Sequence, residues 1–367
     1  MKVPFVDLKG QYNSIKTEID TAIQNVIEEA AFIKGKYVQK FEEEYAEIYG
    51  VKHCVSCANG TDSLYIALKT LGIGSGDEVI TTTISWISTS ETITQTGARV
   101  VFVDIDPDYF TIDVSKIEEK INERTKAIIP VHLYGHPANM SKIMIIAKKH
   151  NLKVIEDCAQ AHFAEWQGQK VGTFGDAGCF SFFPGKNLGA YGDAGCIVTN
   201  DDNLSEKMRR FSRHGALGKH DHEIEGINSR LDGLQAAILS VKLKYIHHWT
   251  ALRIRHASTY NELLSDAEDI VTPLTHKDAK HVFHLYVIRT ENRDELQSLF
   301  NANGISSEIH YPTALPFLKA YAYLGHKPED FPVAHRFTSQ ILSLPMYPEL
   351  TDDIQLRVAD VIKSCLI

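Results

Sequence analysis

One lysine of this 367-residue chain lies in surroundings that could make it a nucleophile. Lys186 stands in residues 181–195, a glycine-rich loop with apolar flanks. Apolar surroundings disfavour the charged form of an amine and lower its pKa, and a neutral amine can condense with a carbonyl group. We expect almost all the other lysines to lie in water, as lysines usually do. Lys186 is therefore the first candidate for a catalytic residue.

A carboxylate candidate precedes this loop. Asp157 directly follows Glu156 and the apolar run of residues 153–155. Because ligands bind beyond the carboxyl ends of parallel strands, a carboxylate here could bind a metal, act as a base or pair with a protonated ring nitrogen. A lone aspartate at this place is more often a loop or capping residue. Together, Lys186 and Asp157 match what pyridoxal-phosphate (PLP) enzymes need, a Schiff-base lysine and a carboxylate beside the pyridine nitrogen.

A third position suits the phosphate of such a cofactor. Gly60 and Thr61 lie in a turn that leads into a predicted helix over residues 62–71, which begins at Asp62. The N-terminus of a helix offers free backbone N–H groups to an anion, and Ser181 could add a hydroxyl. The alternative is a simple helix cap, and the sequence contains no Walker-type phosphate loop.

The elements that must position these side chains alternate between strands and helices. Seven strand-like runs are predicted, over residues 53–55, 78–81, 100–103, 127–131, 153–155, 179–182 and 196–199. Strands that alternate with helices at this spacing predict an α/β domain with a mostly parallel, seven-stranded sheet covered by helices. Trp86, after the second strand, could stack on a cofactor ring or be an ordinary core aromatic.

The sequence pattern changes after residue 199. Helices are predicted over residues 204–214 and 231–260, followed by a strand over 282–289, a helix over 294–302 and a strand near 306–310. The longer helix could bridge two domains. We therefore predict a large PLP-binding domain over residues 1–249, with a helical N-terminal segment, and a smaller α+β domain over residues 250–367.

Composition argues against several classes of function. The net charge of -9 disfavours a nucleic-acid partner, because phosphate backbones need clustered cations. No apolar run is long enough to span a membrane and no signal segment is evident, so we expect a cytoplasmic protein. Cys54 and Cys57 form a C-x-x-C motif without a second ligand pair, and we expect core thiols and no metal site. The glycines at 72, 74 and 76 follow a predicted helix rather than a strand, which disfavours a nicotinamide site.

Seven sequence blocks, in their order along the chain, resemble the DegT/StrS family of nucleotide-sugar aminotransferases, which has the aspartate-aminotransferase fold (fold type I). The blocks are residues 4–8 (PFVDL), 58–64 (ANGTDSL), 76–80 (GDEVI), 130–135 (PVHLYG), 156–162 (EDCAQAH), 226–232 (GINSRLD) and 309–312 (IHYP). The resemblance covers nearly the whole chain. So many blocks in one order argue against a chance match.

The resemblance implies a PLP cofactor and gives roles to single residues. Lys186 would form the Schiff base and Asp157 would pair with the pyridinium nitrogen. Trp86 would stack on the ring, and Gln160 would lie near the cofactor hydroxyl. The phosphate contacts would come from Gly60, Thr61, Asp62 and Ser181. Asn228 would reach the cofactor phosphate of a neighbouring subunit, which implies a homodimer with shared active sites.

The implied reaction is an amino transfer in two stages. L-glutamate, the usual donor in this family, would leave as 2-oxoglutarate, and a keto sugar on a nucleotide would accept the amino group. Lys186 would move protons between the cofactor and the substrate carbon. Relatives with histidine in place of this lysine dehydrate sugars, so Lys186 favours transamination over a PLP-dependent dehydratase. A regulatory relative without catalysis is a further alternative, although no expected cofactor contact is missing from the sequence.

The identity of the sugar is less sharply indicated. The stretch around Lys186 is most similar to enzymes that convert dTDP-3-keto-6-deoxyhexoses to dTDP-3-amino-3,6-dideoxyhexoses. Phe183 stands where those relatives often have tyrosine and also resembles enzymes of UDP-3-keto-hexuronic acids, so that substrate or a 4-keto-6-deoxy sugar is the alternative. We expect sugar-nucleotide contacts from Phe183, Lys219, His310 and Tyr311, although surface loop positions are an almost equal alternative for the last three.

Overall fold

The structure is a computed structural model that describes residues 2–365. The strands are β1 His53–Cys57, β2 Glu78–Thr82, β3 Arg99–Val103, β4 Thr125–Ile129, β5 Lys153–Asp157, β6 Glu165–Trp166, β7 Gln169–Lys170, β8 Ala177–Ser181, β9 Gly195–Thr199, β10 Ala279–Lys280, β11 Tyr286–Arg289 and β12 Ile341–Leu344. The helices are α1 Leu8–Ser14, α2 Lys16–Glu28, α3 Lys36–Tyr49, α4 Gly60–Thr70, α5 Ser88–Gln95, α6 Met140–His150, α7 Asp202–Phe211, α8 Gly233–Leu243, α9 Ile246–Leu263, α10 Arg293–Ala302, α11 Pro332–Phe337 and α12 Asp352–Cys365. Of the helices within residues 2–365, none is both long and apolar enough to cross a membrane.

Seven strands form one sheet in the order β1-β9-β8-β5-β4-β2-β3. β9 is antiparallel to its neighbours β1 and β8, and the other neighbouring strands pair in parallel. The strand residues are mostly buried, as expected when helices cover both faces of a sheet. The predicted mostly parallel, seven-stranded sheet is confirmed, and each strand lies within one or two residues of its predicted position.

Helices α3 and α8 pack over one face of this sheet, and α4 packs over the other. Successive side chains of a strand point to opposite faces, so Cys54 and Cys57 of β1 separate. Cys54 joins the apolar cluster of Tyr45 on α3, whereas Cys57 joins that of Leu64 on α4. Both are buried free thiols, which confirms the prediction of core cysteines.

The C-terminal part of the chain has its own apolar cluster, around Tyr260, Tyr286 and Phe300. α12 packs against α9 and α10, and β11 pairs antiparallel with β12. Val3 from the N-terminus joins this cluster, with its N–H donated to the carbonyl oxygen of Gly304 at 2.8 Å. The predicted boundary at residues 249 and 250 falls within α9 and stays a prediction.

Three predicted elements of this part were wrong in extent. The single helix over residues 231–260 is in fact α8 and α9, with a turn at Lys244 and Tyr245, because α8 packs against α2 and α3 whereas α9 packs against α12. The strand near residues 306–310 is reduced to one bridge between Glu308 and Ser343. The strand over residues 282–289 begins only at Tyr286, because the preceding residues bond to the backbone of residues 134–135 instead.

Candidate active site

A cavity of about 610 Å³ opens where the carboxyl ends of β5 and β8 meet the N-termini of α4 and α5. This is where an open α/β sheet is expected to bind its ligand. Most residues predicted from the sequence line it, namely Gly60, Thr61, Asp62, Trp86, Asp157, Gln160, Ser181, Phe183, Lys186, His310 and Tyr311. Asn59, Ser85, Ser88, Thr89 and Asp193 also line it and were not predicted.

Lys186 lies in the loop from β8 to β9. The loop is closed by its own backbone, since the N–H of Lys186 donates to the carbonyl oxygen of Phe183 at 2.8 Å. The turn comes so close to itself that a Cβ atom at Gly189 would clash with the carbonyl of Pro184. The side chain of Lys186 is half-buried, and the dense protein around its amine lowers the pKa to about 8, against the opposing charge of Asp157. The amine is therefore far closer to its neutral form than that of an exposed lysine.

Asp157 is the last residue of β5, and its side chain is 6% exposed. Its Oδ2 accepts a hydrogen bond from Thr89 Oγ1 at 2.7 Å, and its Oδ1 accepts one from the N–H of Ala159 at 3.1 Å. Burial raises the pKa of Asp157, and these two donors and the charge of Lys186 oppose the rise. A carboxylate can accept about four hydrogen bonds, so acceptor capacity remains for a ligand in the cavity.

Thr89 is the contact of Asp157 that sequence reasoning missed. The hydroxyl of Ser85 lies 2.8 Å from that of Thr89, whose own hydrogen goes to Asp157, so Ser85 donates and the three groups form a chain. α5, which carries Thr89, was not predicted because serine and threonine are weak helix formers. The available signal was the run of hydroxyl residues that directly follows β2.

The N-terminus of α4 presents backbone N–H groups to the cavity. Asn59 caps the helix, with its side-chain oxygen accepting the N–H of Asp62 at 2.8 Å and its carbonyl accepting that of Ser63. The N–H groups of Gly60 and Thr61 have no acceptor within the described residues and lie at the positive end of the helix dipole. A Cβ atom on Gly60 would lie 2.5 Å from Ser181 Cβ, so only glycine permits this approach of helix and strand.

The aromatic side chains define the open side of the cavity. Trp86 is 60% exposed, which excludes an ordinary core aromatic, and its ring centroid lies 5.8 Å from that of Tyr311. Phe183 is 56% exposed. A flat ligand could therefore stack on an aromatic face without displacing packed side chains.

Gln160 and His310 connect the cavity to the C-terminal part of the chain. Gln160 Oε1 accepts the N–H of Tyr134 at 2.6 Å, and its Nε2 donates to the Tyr311 hydroxyl at 3.1 Å. Burial and the charge of Lys186 lower the pKa of His310 to about 4, so its imidazole is neutral at pH 7. Burial also raises the pKa of Tyr311.

Two predicted residues lie outside this cavity. Asn228 and Lys219 are both exposed, in the segment between α7 and α8. Asn228 forms a backbone bridge with Arg213, and Ser229 beside it accepts the N–H of Ala58 at the end of β1. One chain alone does not bring these two side chains to Lys186.

The residues of the cavity fit PLP. Lys186 would provide an amine of lowered pKa for the aldehyde, and Asp157 would provide a buried carboxylate with free acceptor capacity for the ring nitrogen. The free N–H groups of Gly60 and Thr61 suit the phosphate, and exposed Trp86 suits the ring face. His132, Glu156 and Cys158 form a separate cluster whose potential metal-ligand atoms lie within 4.8 Å of one another. This cluster is fully buried on the other side of β5.

A family model described as the DegT/DnrJ/EryC1/StrS aminotransferase family matches residues 13–363. The pleiotropic regulatory protein of Geobacillus stearothermophilus is 47% identical over 98% of this chain and 97% of its own. The UDP-N-acetyl-3-dehydro-alpha-D-glucosamine 3-aminotransferase of Acidithiobacillus ferrooxidans is 44% identical over 99% and 98%. The dTDP-3-amino-3,4,6-trideoxy-alpha-D-glucose transaminase of Streptomyces venezuelae is 40% identical over 99% and 96%.

Solved structures extend the similarity to three dimensions. The crystal structure of DesV from S. venezuelae has a TM-score of 0.97 and 40% identity, covering 100% of this chain and 98% of that one. The crystal structure of NtdA from Bacillus subtilis, with bound cofactor PMP, has a TM-score of 0.91 and 33% identity, covering 100% and 85%. Both similarities include the elements that form the cavity.

Proposed function

The chain belongs to the DegT/DnrJ/EryC1/StrS family of PLP-dependent aminotransferases, which act on nucleotide sugars, and we propose that it transfers an amino group from L-glutamate to C3 of a 3-keto nucleotide sugar. The observation that carries this proposal is the pairing of the Lys186 amine with the Asp157 carboxylate in one cavity. A nucleophile of lowered pKa and a buried acid are what amino transfer on PLP requires of the protein.

Each cavity residue has a separate task in this reaction. When bound, PLP supplies an electron sink that makes a hydrogen on the substrate carbon acidic. Lys186 would hold the cofactor through Nζ and, once a substrate amine has displaced it, would take and return the proton at that carbon. Asp157 would keep the ring nitrogen protonated, since its buried charge favours a cation beside it.

The cavity wall would fix the cofactor in one orientation. Gly60 and Thr61 would hold the phosphate through backbone N–H groups, with the hydroxyl of Ser181 beside them. Trp86 would cover one ring face, and the amide of Gln160 would face the ring hydroxyl. These contacts hold the reacting atoms near Lys186, which is how positioning contributes to rate.

The acceptor is proposed from the relatives that are named for their substrates. The names of the Acidithiobacillus and Streptomyces enzymes both place the chemistry at C3, one on a UDP sugar and one on a dTDP sugar. We take dTDP-3-keto-6-deoxyhexose as the first candidate and a UDP-linked 3-keto sugar, including the hexuronic acid, as the second. A 4-keto-6-deoxy sugar is the third. Phe183, His310 and Tyr311 would contact the sugar from the cavity mouth.

We also propose that two chains share each active site. The cavity of one chain contains Lys186 as its single lysine and no arginine within the described residues, although both carboxylates of glutamate need polar partners. Asn228 and Lys219 are exposed on a segment outside that cavity and would reach the cavity of a second copy. A cytoplasmic location, expected from the sequence, stays a prediction.

The Lys186 assignment can be tested by absorbance. Purified protein supplied with PLP and then freed of unbound cofactor should absorb in the visible range, and borohydride reduction should fix the cofactor on Lys186, located by mass spectrometry. The Lys186→Ala variant should show neither signal, because its side chain has no amine. Lys244→Ala, which removes an exposed lysine, is the control and should behave as the wild type. An unchanged visible spectrum in Lys186→Ala would overturn the proposal.

The acceptor can be identified with a panel of enzymatically made nucleotide sugars. Glutamate and each 3-keto or 4-keto sugar, on dTDP or UDP, are incubated with the enzyme, and 2-oxoglutarate is measured. We expect the fastest turnover with a dTDP-linked 3-keto-6-deoxyhexose. Turnover of 4-keto sugars alone would refute the C3 assignment, and turnover of uronic acids alone would reverse the order of candidates.

Sharing between subunits can be tested by mixing two inactive variants. Lys186→Ala chains lack the amine and Asn228→Ala chains lack the side chain that reaches across. Subunits exchanged between them should form some mixed dimers with one intact site and recover up to about a quarter of wild-type activity, as random pairing dictates. Failure to recover activity despite proven exchange would contradict the shared site.

A further inference from the structure

A lysine on α8 is buried beneath the loop that carries Lys186. Lys242 is 1% exposed, and its Nζ donates to the carbonyl oxygen of Gly189 at 2.7 Å. The same ammonium lies 4.3 Å from the ring centroid of Tyr191, within cation–π range. Both contacts are made with residues 187–194, the part of the loop between Lys186 and β9, which we call the return arm.

Burying the ammonium of Lys242 costs free energy, because the charge loses its contact with water. Burial lowers the pKa of Lys242 to about 8, with the charge of Glu349 opposing the change. Among residues 2–365, the side-chain hydrogen bond of Lys242 goes to a backbone carbonyl rather than to a carboxylate that would offset the loss of water. A methionine of similar length would fill this space without the desolvation of a charge. What the ammonium adds is therefore the bond to Gly189 and the contact with Tyr191.

The return arm has further anchors on α8 and in the C-terminal part. Gln235 of α8 accepts the N–H of Tyr191 at 2.8 Å and donates to the carbonyl oxygen of the same residue at 3.4 Å. Asn187 donates to the carbonyl of Val282 at 3.2 Å, and His284 Nδ1 donates to Asn187 Oδ1 at 3.2 Å. The loop is thus anchored directly after Lys186, at Asn187, and again at Gly189 and Tyr191.

We propose that Lys242 is a positioning residue for Lys186, acting through the carbonyl oxygen of Gly189 and the ring of Tyr191. The turn from Pro184 to Gly189 is too tight for any side chain at Gly189, so a displacement of that residue is passed to Lys186 through a stiff backbone. The amine must stay within hydrogen-bond reach of the carbon whose proton it moves. The catalytic part of this inference rests on the proposed role of Lys186.

The test compares Lys242→Met with Lys244→Met. The first removes the ammonium and retains the length of the side chain, and the second removes an exposed lysine that pairs with Glu18 at 3.2 Å. In the holoenzyme of Lys242→Met, we expect amide hydrogen exchange over residues 184–191 to rise about tenfold, with β5 unchanged, since local opening depends on local contacts. We expect kcat to fall about tenfold, which corresponds to the loss of one buried hydrogen bond, and KM to change less than twofold.

The outcomes separate positioning from a merely structural role. Exchange that stays at the wild-type rate in residues 184–191, or that rises equally in β5, would overturn the inference, as would an equal effect of Lys244→Met. If Lys242→Met does not fold, Tyr191→Leu replaces it in the test. This variant removes the ring and retains the hydrogen bond from Lys242 to the carbonyl of Gly189, so it should raise exchange in residues 184–191 by a smaller factor. The exchange measurement needs no turnover, so an enzyme that aminates none of the tested sugars would refute the proposed function and leave this result standing.

Discussion

Two adjacent carboxylates at the end of β5 face opposite sides of the sheet and have opposite surroundings. Glu156 is fully buried, and its two oxygens accept the N–H groups of Gly172, Phe174 and Gly175 at 2.7, 2.8 and 2.9 Å. A fourth donor is His132 Nε2 at 3.1 Å, because Nδ1 of that ring accepts the N–H of Ala138. Within residues 2–365, the side chain of Asp157 has two donors, Thr89 and Ala159, and it faces the cavity.

The difference shows how a structural acid and a functional acid can be told apart. The hydrogen-bonding capacity of Glu156 is filled by the protein, so its charge holds the loop of residues 172–175 to the sheet. Asp157 is also buried, at 6% exposed, yet part of its hydrogen-bonding capacity remains open toward the cavity. A buried polar group with free capacity is a place where a ligand gains the most from binding. The following predictions test this contrast.

Asp157→Asn should have the largest effect. The amide retains the shape and can accept from Thr89, but it has no charge to keep a ring nitrogen protonated. Loss of one partner of a buried ion pair costs about 4 kcal/mol, so kcat/KM should fall roughly a thousandfold. Steady-state rates measure the change, and urea unfolding should show stability within about 1 kcal/mol of the wild type. A variant that retains wild-type activity would remove Asp157 from the site.

Glu156→Gln should affect stability rather than catalysis. Its NH₂ group must face backbone N–H groups that also donate, so the free energy of unfolding should fall by about 3 kcal/mol. Urea denaturation measures the loss, and kcat per folded molecule should stay within about threefold of the wild type. An activity loss as large as that of Asp157→Asn would end the distinction between the two acids.

The pH dependence of PLP binding should report on Lys186 and separate the acids again. Because a neutral amine attacks the aldehyde, the rate at which cofactor-free protein takes up PLP should rise up to a pH of about 8 and level off above it. Asp157→Asn should move this midpoint to lower pH, since the negative charge of Asp157 opposes the lowering of the pKa of Lys186. Glu156→Gln is the matched control. A midpoint near that of an ordinary lysine would contradict the lowered pKa.

Thr89→Val should have the smallest effect. The variant retains the shape of the side chain and removes the hydroxyl that donates to Asp157, which should lower kcat about fivefold, close to 1 kcal/mol. Thr92→Val is the control, because the Thr92 hydroxyl donates to the carbonyl of Ser88 within the same helix at 2.8 Å. Equal losses in the two variants would mean that α5 is disturbed generally.

Much of the fold followed from local patterns. The seven strands of the large sheet were predicted at nearly their observed positions, because short apolar runs buried on both faces are distinctive. The turn at Lys244 and Tyr245 was missed, since the helical pattern continues across it and only the different neighbours of α8 and α9 end the first helix. α5 was missed because its hydroxyl residues carry little helical signal.

The residues of the site likewise fall into those that the sequence indicated and those that only the structure revealed. Residue type and position after a strand made Lys186 and Asp157 candidates, and their combination and the family resemblance gave them their roles. Thr89 and Lys242 act through contacts with residues 68 and 53 positions away, and nothing local marks them. The proposed roles of Asn228 and Lys219 depend on a second chain and stay predictions.

The sequence by itself determined the fold class, the family and the pair of groups that do the chemistry, since these depend on residue types, periodicity and order along the chain. Strand periodicity alone did not show which of the two neighbouring acids faces the ligand, and the choice of Asp157 came from the family resemblance. A strand sends successive side chains to opposite sides, and which side is the cavity depends on where distant segments pack. The tertiary structure placed the donors of residues 172–175 around Glu156 and left Asp157 open to the cavity beside Lys186.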